Sequence, residues 1–71
     1  MKSIYLHQNL LGVPKSFFGW DEKGSRHNLL EFENLYVEKI GIDQYDVGGI
    51  LYKVKDSRQD WDGHHLELTR I

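Results

Sequence analysis

The chain contains no cysteine among its 71 residues. Neither a disulfide bond nor a thiolate-bound metal can therefore stabilise it, so its stability must come from apolar packing. It also has a single proline and no apolar run near the roughly 18 residues that a membrane-spanning helix needs. Lys2 is followed by a mixed polar stretch instead of an apolar export signal, so the sequence predicts a cytoplasmic protein with no membrane segment.

Motifs for catalysis and cofactor binding are missing as well. The sequence has no cysteine nucleophile, Gly-x-Ser-x-Gly elbow, phosphate-binding loop or dinucleotide fingerprint. A domain this small also has little room for a ligand pocket, which typically needs about 300 Å³ or more. We therefore expect no catalytic residue, no cofactor and no enzymatic activity.

The composition is that of one small folded domain. A chain of 71 residues that starts at Met1 is expected to be a complete single domain spanning 1–71. Aromatic residues make up 13% of it, which is enough to build a core. The net charge of −2 is unevenly spread, because residues 1–26 carry an excess of basic residues and residues 27–46 an excess of acidic ones. The acidic stretch is typical of a solvated surface.

Alternating apolar residues predict strands at both ends of the chain. In residues 3–8, Ile4 and Leu6 fall on one face of a strand and Tyr5 and His7 on the other. The last third, from residue 49 to residue 71, alternates in two arms around a polar centre and predicts a β-hairpin.

The register of this hairpin follows from aligning the apolar faces of its two arms, since a slip of one residue would reverse every side chain. That alignment pairs Val54 with Leu66. It also places Lys53 opposite Glu67, a favourable pair of opposite charges.

Residues 28–40 carry the signals of a helix. Asn28 can cap its first turn, and Glu31 follows at the spacing of a capping box. Gly41 stands where a helix-terminating glycine is common. The apolar residues recur at three- and four-residue spacing and would form one buried face. They are Leu29, Phe32, Tyr36, Val37 and Ile40.

The predicted fold class is α+β. The element order predicts a small βαββ domain, with a three-stranded, mostly antiparallel sheet and one helix packed on one face. If residues 28–42 form strands instead, a small all-β barrel is the alternative. Residues 17–25 are interpreted either as an aromatic loop or as a short hairpin with Phe18 and Trp20 on one arm.

Two carboxylates and two imidazoles, Asp60, Asp62, His64 and His65, lie within six residues and suggest a metal site. The fragment Asp-x-Asp-Gly lacks the further ligands of a calcium-binding loop. Adjacent histidines on a strand point to opposite faces and cannot both bind one ion. We therefore expect a satisfied hairpin loop and no metal site.

Large aromatic residues in the predicted loops favour a protein-binding role. Trp61, at the predicted hairpin tip, is the kind of side chain that anchors binding hot spots. The hypothesis is a small interaction protein: a regulator, inhibitor or assembly subunit of the kind found as accessory proteins in phages and mobile elements. Self-association through an exposed strand edge is a further expectation. The predicted partner-binding residues are Phe17, Phe18, Trp20, Arg58, Asp60, Trp61 and Asp62.

Nucleic-acid binding is the alternative function. It depends on Lys53, Lys55 and Arg58 along the outer face of the predicted sheet, because basic residues between aromatic ones can bind single strands. Neighbouring acidic residues such as Glu67 and Asp56 partly cancel this charge. The sequence therefore favours a protein partner.

Overall fold

The structure, a computed structural model, describes residues 1–32 and 35–71. In this part of the chain, the backbone forms a seven-stranded antiparallel sheet that curls into a half-barrel. A single turn of 3-10 helix, Leu29–Glu31, follows the third strand. In chain order the strands are β1 Ser3–Gln8, β2 Pro14–Trp20, β3 Arg26–Asn28, β4 Val37–Lys39, β5 Gln44–Val47, β6 Ile50–Asp60 and β7 Gly63–Arg70.

The sheet is a meander whose first and last strands pair with each other. Its spatial order is β3-β2-β1-β7-β6-β5-β4, so the two edge strands, β3 and β4, are consecutive in the chain. A flat sheet of this size would separate its edges by roughly 29 Å, at about 4.8 Å per strand. The connection of residues 29–36 includes a 3-10 turn and reaches no more than about 26 Å. The sheet must therefore curl.

The core lies on the concave face of this curled sheet. The side chains alternate as strand geometry requires, so Ile4 and Leu6 of β1 are buried whereas Tyr5 and His7 lie on the convex face. Across the β1–β7 pair, Ile4 meets Leu68. The buried residues that share this face are Ile4, Leu6, Phe17, Leu29, Val47, Tyr52, Leu66 and Leu68.

The predicted α+β fold, a three-stranded sheet with one packed helix, is wrong, because the described residues 1–32 and 35–71 are nearly all β and form seven strands. Asn28 does act as a cap by accepting a hydrogen bond from the backbone N–H of Leu30, but only the 3-10 turn follows it. Val37 then begins β4, which pairs with β5. Residues 33 and 34 of the predicted helix lie outside the described residues. None of the helical segments described is long and apolar enough to cross a membrane.

The pairing and curling of the strands explain why the helical periodicity of residues 28–40 predicted the wrong structure. The sheet covers its own concave face by curling, so no helix is needed to bury that face. Phe32 and Tyr36, two residues of the predicted apolar helix face, are more than half exposed. Of the two interpretations of residues 17–25, the hairpin is confirmed, since Phe18 and Trp20 lie on one arm of the β2–β3 hairpin.

The hairpin of β6 and β7 is confirmed, but its predicted register is wrong. Val54 does not face Leu66, and Lys53 does not face Glu67. The polar residues at the centre of the predicted hairpin continue the strand pairing down to a two-residue turn, and the register shifts near Lys55. Backbone pairing requires no apolar side chain, so the strands extend further than the apolar pattern does. The observed pairs include Lys53–Thr69, Val54–Leu68, Asp56–Glu67 and Asp60–Gly63.

We expect Gly63→Ala to destabilise the fold strongly. A Cβ atom at this position would collide with the carbonyl oxygen of Gln8, and Gly63 has a φ of 129°. Gly24→Ala is the matched control, because Gly24 also has a positive φ but open space around it. The Gly24 variant should lose about 1 kcal/mol of unfolding free energy. The Gly63 variant should lose about 1–3 kcal/mol more, as measured by urea denaturation. Equal losses would show that Gln8 does not pack against Gly63.

Candidate functional site

Two histidines from distant parts of the chain stack on the convex face of the sheet. His7 of β1 pairs directly with His65 of β7. Their ring centroids are 4.2 Å apart and the rings are nearly parallel, at 9°. The side chains of His7 and His65 are only 13% and 11% exposed. The two imidazoles therefore form a half-buried pair near the β6–β7 turn.

The two nitrogens of the His65 ring have different surroundings. Nδ1 lies 2.8 Å from the hydroxyl oxygen of Tyr5, within hydrogen-bonding distance. Nε2 is buried, and no hydrogen bond from the described residues reaches it. A carboxylate oxygen of Asp60 stands 3.3 Å from Nε2 but outside hydrogen-bond geometry. Nε2 of His65 therefore faces a carboxylate at ion-pair distance without a well-formed hydrogen bond.

The β6–β7 turn brings two carboxylates to this histidine pair. Asp60 accepts a 2.9 Å hydrogen bond from the backbone N–H of Asp62, which braces the turn. Nε2 of His7 donates to the backbone carbonyl of Asp62 over 3.1 Å and lies 3.6 Å from its carboxylate. The hydrogen bond from the Asp62 amide lowers the pKa of Asp60, burial opposes this shift, and the nearby His65 and Arg58 add to it.

The β1–β2 turn lies beside the β6–β7 turn at the same end of the sheet. Gln8 pairs with His64, and the backbone of Gln8 and Asn9 packs against Gly63. The Asn9 side chain braces its turn by accepting 2.9 Å hydrogen bonds from the backbone N–H groups of Leu11 and Val13. Both turns are thus held by a side-chain amide or carboxylate bonded to the local backbone.

These two braced turns present four large apolar side chains to solvent. Trp61 is 86% exposed and Leu11 is 88% exposed, while Leu10 and Val13 are 65% and 49% exposed. We call Leu10, Leu11, Val13 and Trp61 the tip surface. Such a concentration of exposed apolar side chains typically marks an interaction site.

The predicted partner-binding residues fall into two separate groups. Arg58, Asp60 and Asp62 are exposed and flank Trp61 at the β6–β7 turn. The others lie on β2, away from that turn. Phe17 is buried in the core, Phe18 lies under the Arg26 guanidinium at 4.8 Å, and Trp20 pairs with Ser3 at the opposite end of β1.

Sequence reasoning missed Tyr5, His7 and the apolar residues of the β1–β2 turn. Tyr5 and His7 could have been found only from the β1–β7 pairing, because nothing in their neighbourhood along the chain indicates a partner near residue 65. The consecutive Leu10 and Leu11 beside Gly12 were a usable signal, since an apolar pair in a turn is difficult to bury.

The residues of the nucleic-acid alternative lie along β6, where all three are exposed. Lys55 borders a shallow depression of about 620 Å³ on the convex face. Three basic and three acidic side chains line it, so its charges balance and do not favour a polyanion. They are Lys2, Lys23, Lys55, Asp21, Glu22 and Glu67.

A second depression, of about 300 Å³, is lined by residues of β1 and β2, by the 3-10 turn and by residues 35–37. Its lining is mainly apolar and includes Leu30, Phe32 and Tyr36, which are about half exposed or more. The side chains of the tip surface are more exposed, with Trp61 at 86% and Leu11 at 88%.

No protein-family model, curated protein or solved structure matches this chain. The candidate site therefore depends on the geometry described above.

We expect the charge of Asp60 to contribute to acid-dependent stability. Its pKa is lowered in the folded state, so the folded protein binds fewer protons than the unfolded chain. The stabilisation is present above the unfolded pKa of about 3.9 and is lost as the pH falls through the lower folded value. The variant Asp60→Asn keeps a side-chain oxygen for the Asp62 amide. Between pH 5 and pH 2.5 its melting temperature should fall less than that of the wild-type protein.

Glu22→Gln, which neutralises an exposed carboxylate away from this turn, is the control for that measurement. It should retain the acid dependence of the wild-type protein. Identical pH profiles for the Asp60 variant and the wild type would contradict the assignment.

Proposed function

We propose that this chain is a non-catalytic protein-binding domain and that the tip surface docks onto a partner protein. The observation that carries the proposal is the exposure of four large apolar side chains on two adjoining turns. Regulators, inhibitors and assembly subunits act through surfaces of this kind. The absence of cysteine is compatible with the cytoplasm as the compartment.

Preorganisation supports this role. The hydrogen bonds of the Asn9 and Asp60 side chains hold the backbone of both turns, and Gly63 packs one turn against the neighbouring strand. A rigid binding surface loses little conformational entropy when a partner binds. The cost of keeping Trp61 and Leu11 in water is then recovered when a partner covers them.

The chemistry of the tip surface indicates the kind of partner. Trp61 is an apolar anchor, and the carboxylates of Asp60 and Asp62 beside it form a polar rim. Tryptophan is enriched at hot spots, which are typically surrounded by a polar rim that excludes water. We therefore expect a protein with an apolar pocket bordered by basic or hydrogen-bond-donating groups.

A lipid bilayer fits this surface less well than a protein does. Insertion of Trp61 into a membrane would desolvate Asp60 and Asp62, which are exposed carboxylates. Membrane-binding surfaces typically carry lysine and arginine, which pair with anionic lipids. Arg58 is the basic residue beside this turn, and its Nε lies 4.0 Å from the Asp60 carboxylate.

We expect Trp61→Ala to weaken partner binding about 30-fold, the effect of removing a hot-spot residue worth about 2 kcal/mol. Leu11→Ala should weaken binding in the same direction by a smaller factor. Because both side chains are exposed, neither change should lower the melting temperature by more than about 4 °C. The measurement is quantitative mass spectrometry of proteins retained on the immobilised variants, followed by calorimetric titration of the retained partner.

Ile42→Ala is the matched control, because Ile42 is 88% exposed but lies in the β4–β5 turn. It should retain the same proteins as the wild type. Equal retention by the Trp61 and Ile42 variants would contradict the proposal, as would retention of no protein at all. Binding to phosphatidylserine vesicles, or concentration-dependent dimers in sedimentation velocity that Trp61→Ala abolishes, would replace the proposed partner with a membrane or a second copy.

A further inference from the structure

We propose that His7, Asp62 and His65 form a binding site for a transition-metal ion and that Zn²⁺ is the ion they fit best. One candidate ligand atom from each of these residues lies within 4.8 Å of the other two. The proposal rests on the geometry of these three side chains and not on the apolar residues of the tip surface, although Asp62 lies in the turn that carries Trp61.

The spacing of the ligand atoms is close to what zinc requires. Tetrahedral zinc with bonds near 2.0–2.1 Å places its ligand atoms about 3.4 Å apart. Nε2 of His7 and the nearer carboxylate oxygen of Asp62 are already 3.6 Å apart. The imidazole rings are stacked nearly parallel at 4.2 Å, so they must rotate to direct both Nε2 atoms at one ion.

The unpartnered nitrogen of His65 is the second observation. If Nδ1 carries the proton and donates it to the Tyr5 hydroxyl oxygen, Nε2 keeps a free lone pair in a buried position. Histidines that bind metals typically donate their other ring N–H to such a partner, which sets the tautomer and the ring orientation. Tyr5 would therefore be a positioning residue for His65.

His7 must change its protonation to bind an ion. In the structure its Nε2 carries a proton and donates it to the carbonyl of Asp62. Metal binding would place that proton on Nδ1 and exchange the hydrogen bond for a metal–nitrogen bond. The carbonyl released belongs to an exposed residue and can bind water.

The charges around the site favour a divalent cation. Asp62 is a ligand, and a carboxylate oxygen of Asp60 stands 3.3 Å from Nε2 of His65. Arg58 opposes this field in part, since it is the cross-strand partner of His65 and its Nε lies 4.0 Å from the Asp60 carboxylate. Binding an ion would therefore offset two neighbouring negative charges.

The donor set selects the class of metal. Two imidazole nitrogens and one carboxylate oxygen suit Zn²⁺ and also Co²⁺, Ni²⁺ and Cu²⁺, whereas Ca²⁺ and Mg²⁺ prefer oxygen ligands alone. Three protein ligands leave a fourth position for water or for a group from a partner.

The test uses the full chain without a polyhistidine tag, titrated with ZnCl₂ by calorimetry and followed by thermal unfolding. We expect one Zn²⁺ per chain. The melting temperature should rise by about 10 °C when free Zn²⁺ exceeds Kd about 100-fold, relative to protein in EDTA. His65→Gln should weaken Zn²⁺ binding at least about 100-fold, and Tyr5→Phe about 10-fold by loss of the outer hydrogen bond.

His64→Gln is the matched control, because His64 lies next to His65 but points to the other face, where it contacts the Ser57 hydroxyl. It should bind Zn²⁺ as the wild type does. A direct readout comes from nuclear magnetic resonance: Zn²⁺ should shift the imidazole signals of His7 and His65 and leave those of His27 and His64 in place. This readout remains decisive if His65→Gln fails to fold.

Three results would each overturn the site. They are an unchanged melting temperature with Zn²⁺, Co²⁺ and Ni²⁺, equal losses of affinity in the His64 and His65 variants, and Zn²⁺-induced shifts spread over all four histidines. The last two would show adventitious binding by surface histidines.

Discussion

The pairing of β1 with β7 is the interaction on which the rest of the structure depends. It joins the two ends of the chain and turns a linear meander into a curled sheet with its core on one side. Its register sets Ile4 against Leu68 and Leu6 against Leu66, so it aligns four of the buried side chains of the core. Contacts between residues some 60 positions apart carry a large loop-closure cost, which the buried apolar surface must offset.

The same pairing builds the candidate site on the opposite face. Once Leu6 meets Leu66 inside, the alternation of side chains requires His7 to meet His65 outside. It also brings the β1–β2 and β6–β7 turns together, since Gln8 lies opposite His64 and against Gly63. The core, the histidine pair and the tip surface are therefore consequences of one register, and a slip in that register would abolish all three.

The two proposals place different chemistry at the same end of the molecule. The tip surface is apolar and exposed, which suits a protein partner. The histidine pair beside it is half-buried and polar, and two carboxylates from the adjoining turn approach it. Asp62 belongs to both regions because it borders Trp61 and contacts His7. A metal ion bound there would brace the turn that carries Trp61.

Local pattern was enough to predict the strand of residues 3–8, with Ile4 and Leu6 on its buried face, and a hairpin near the end of the chain with Trp61 in its turn. These features depend on neighbours one to four residues apart, which the sequence displays directly. Tertiary structure alone decided the rest. Residues 28–40 have a helical periodicity, but part of this stretch forms β4. Pairing of β4 with β5 extends the sheet, and the curl of the sheet already covers the core. The meeting of His7 with His65 also required the pairing of chain ends, because no local pattern encodes a contact 58 positions away.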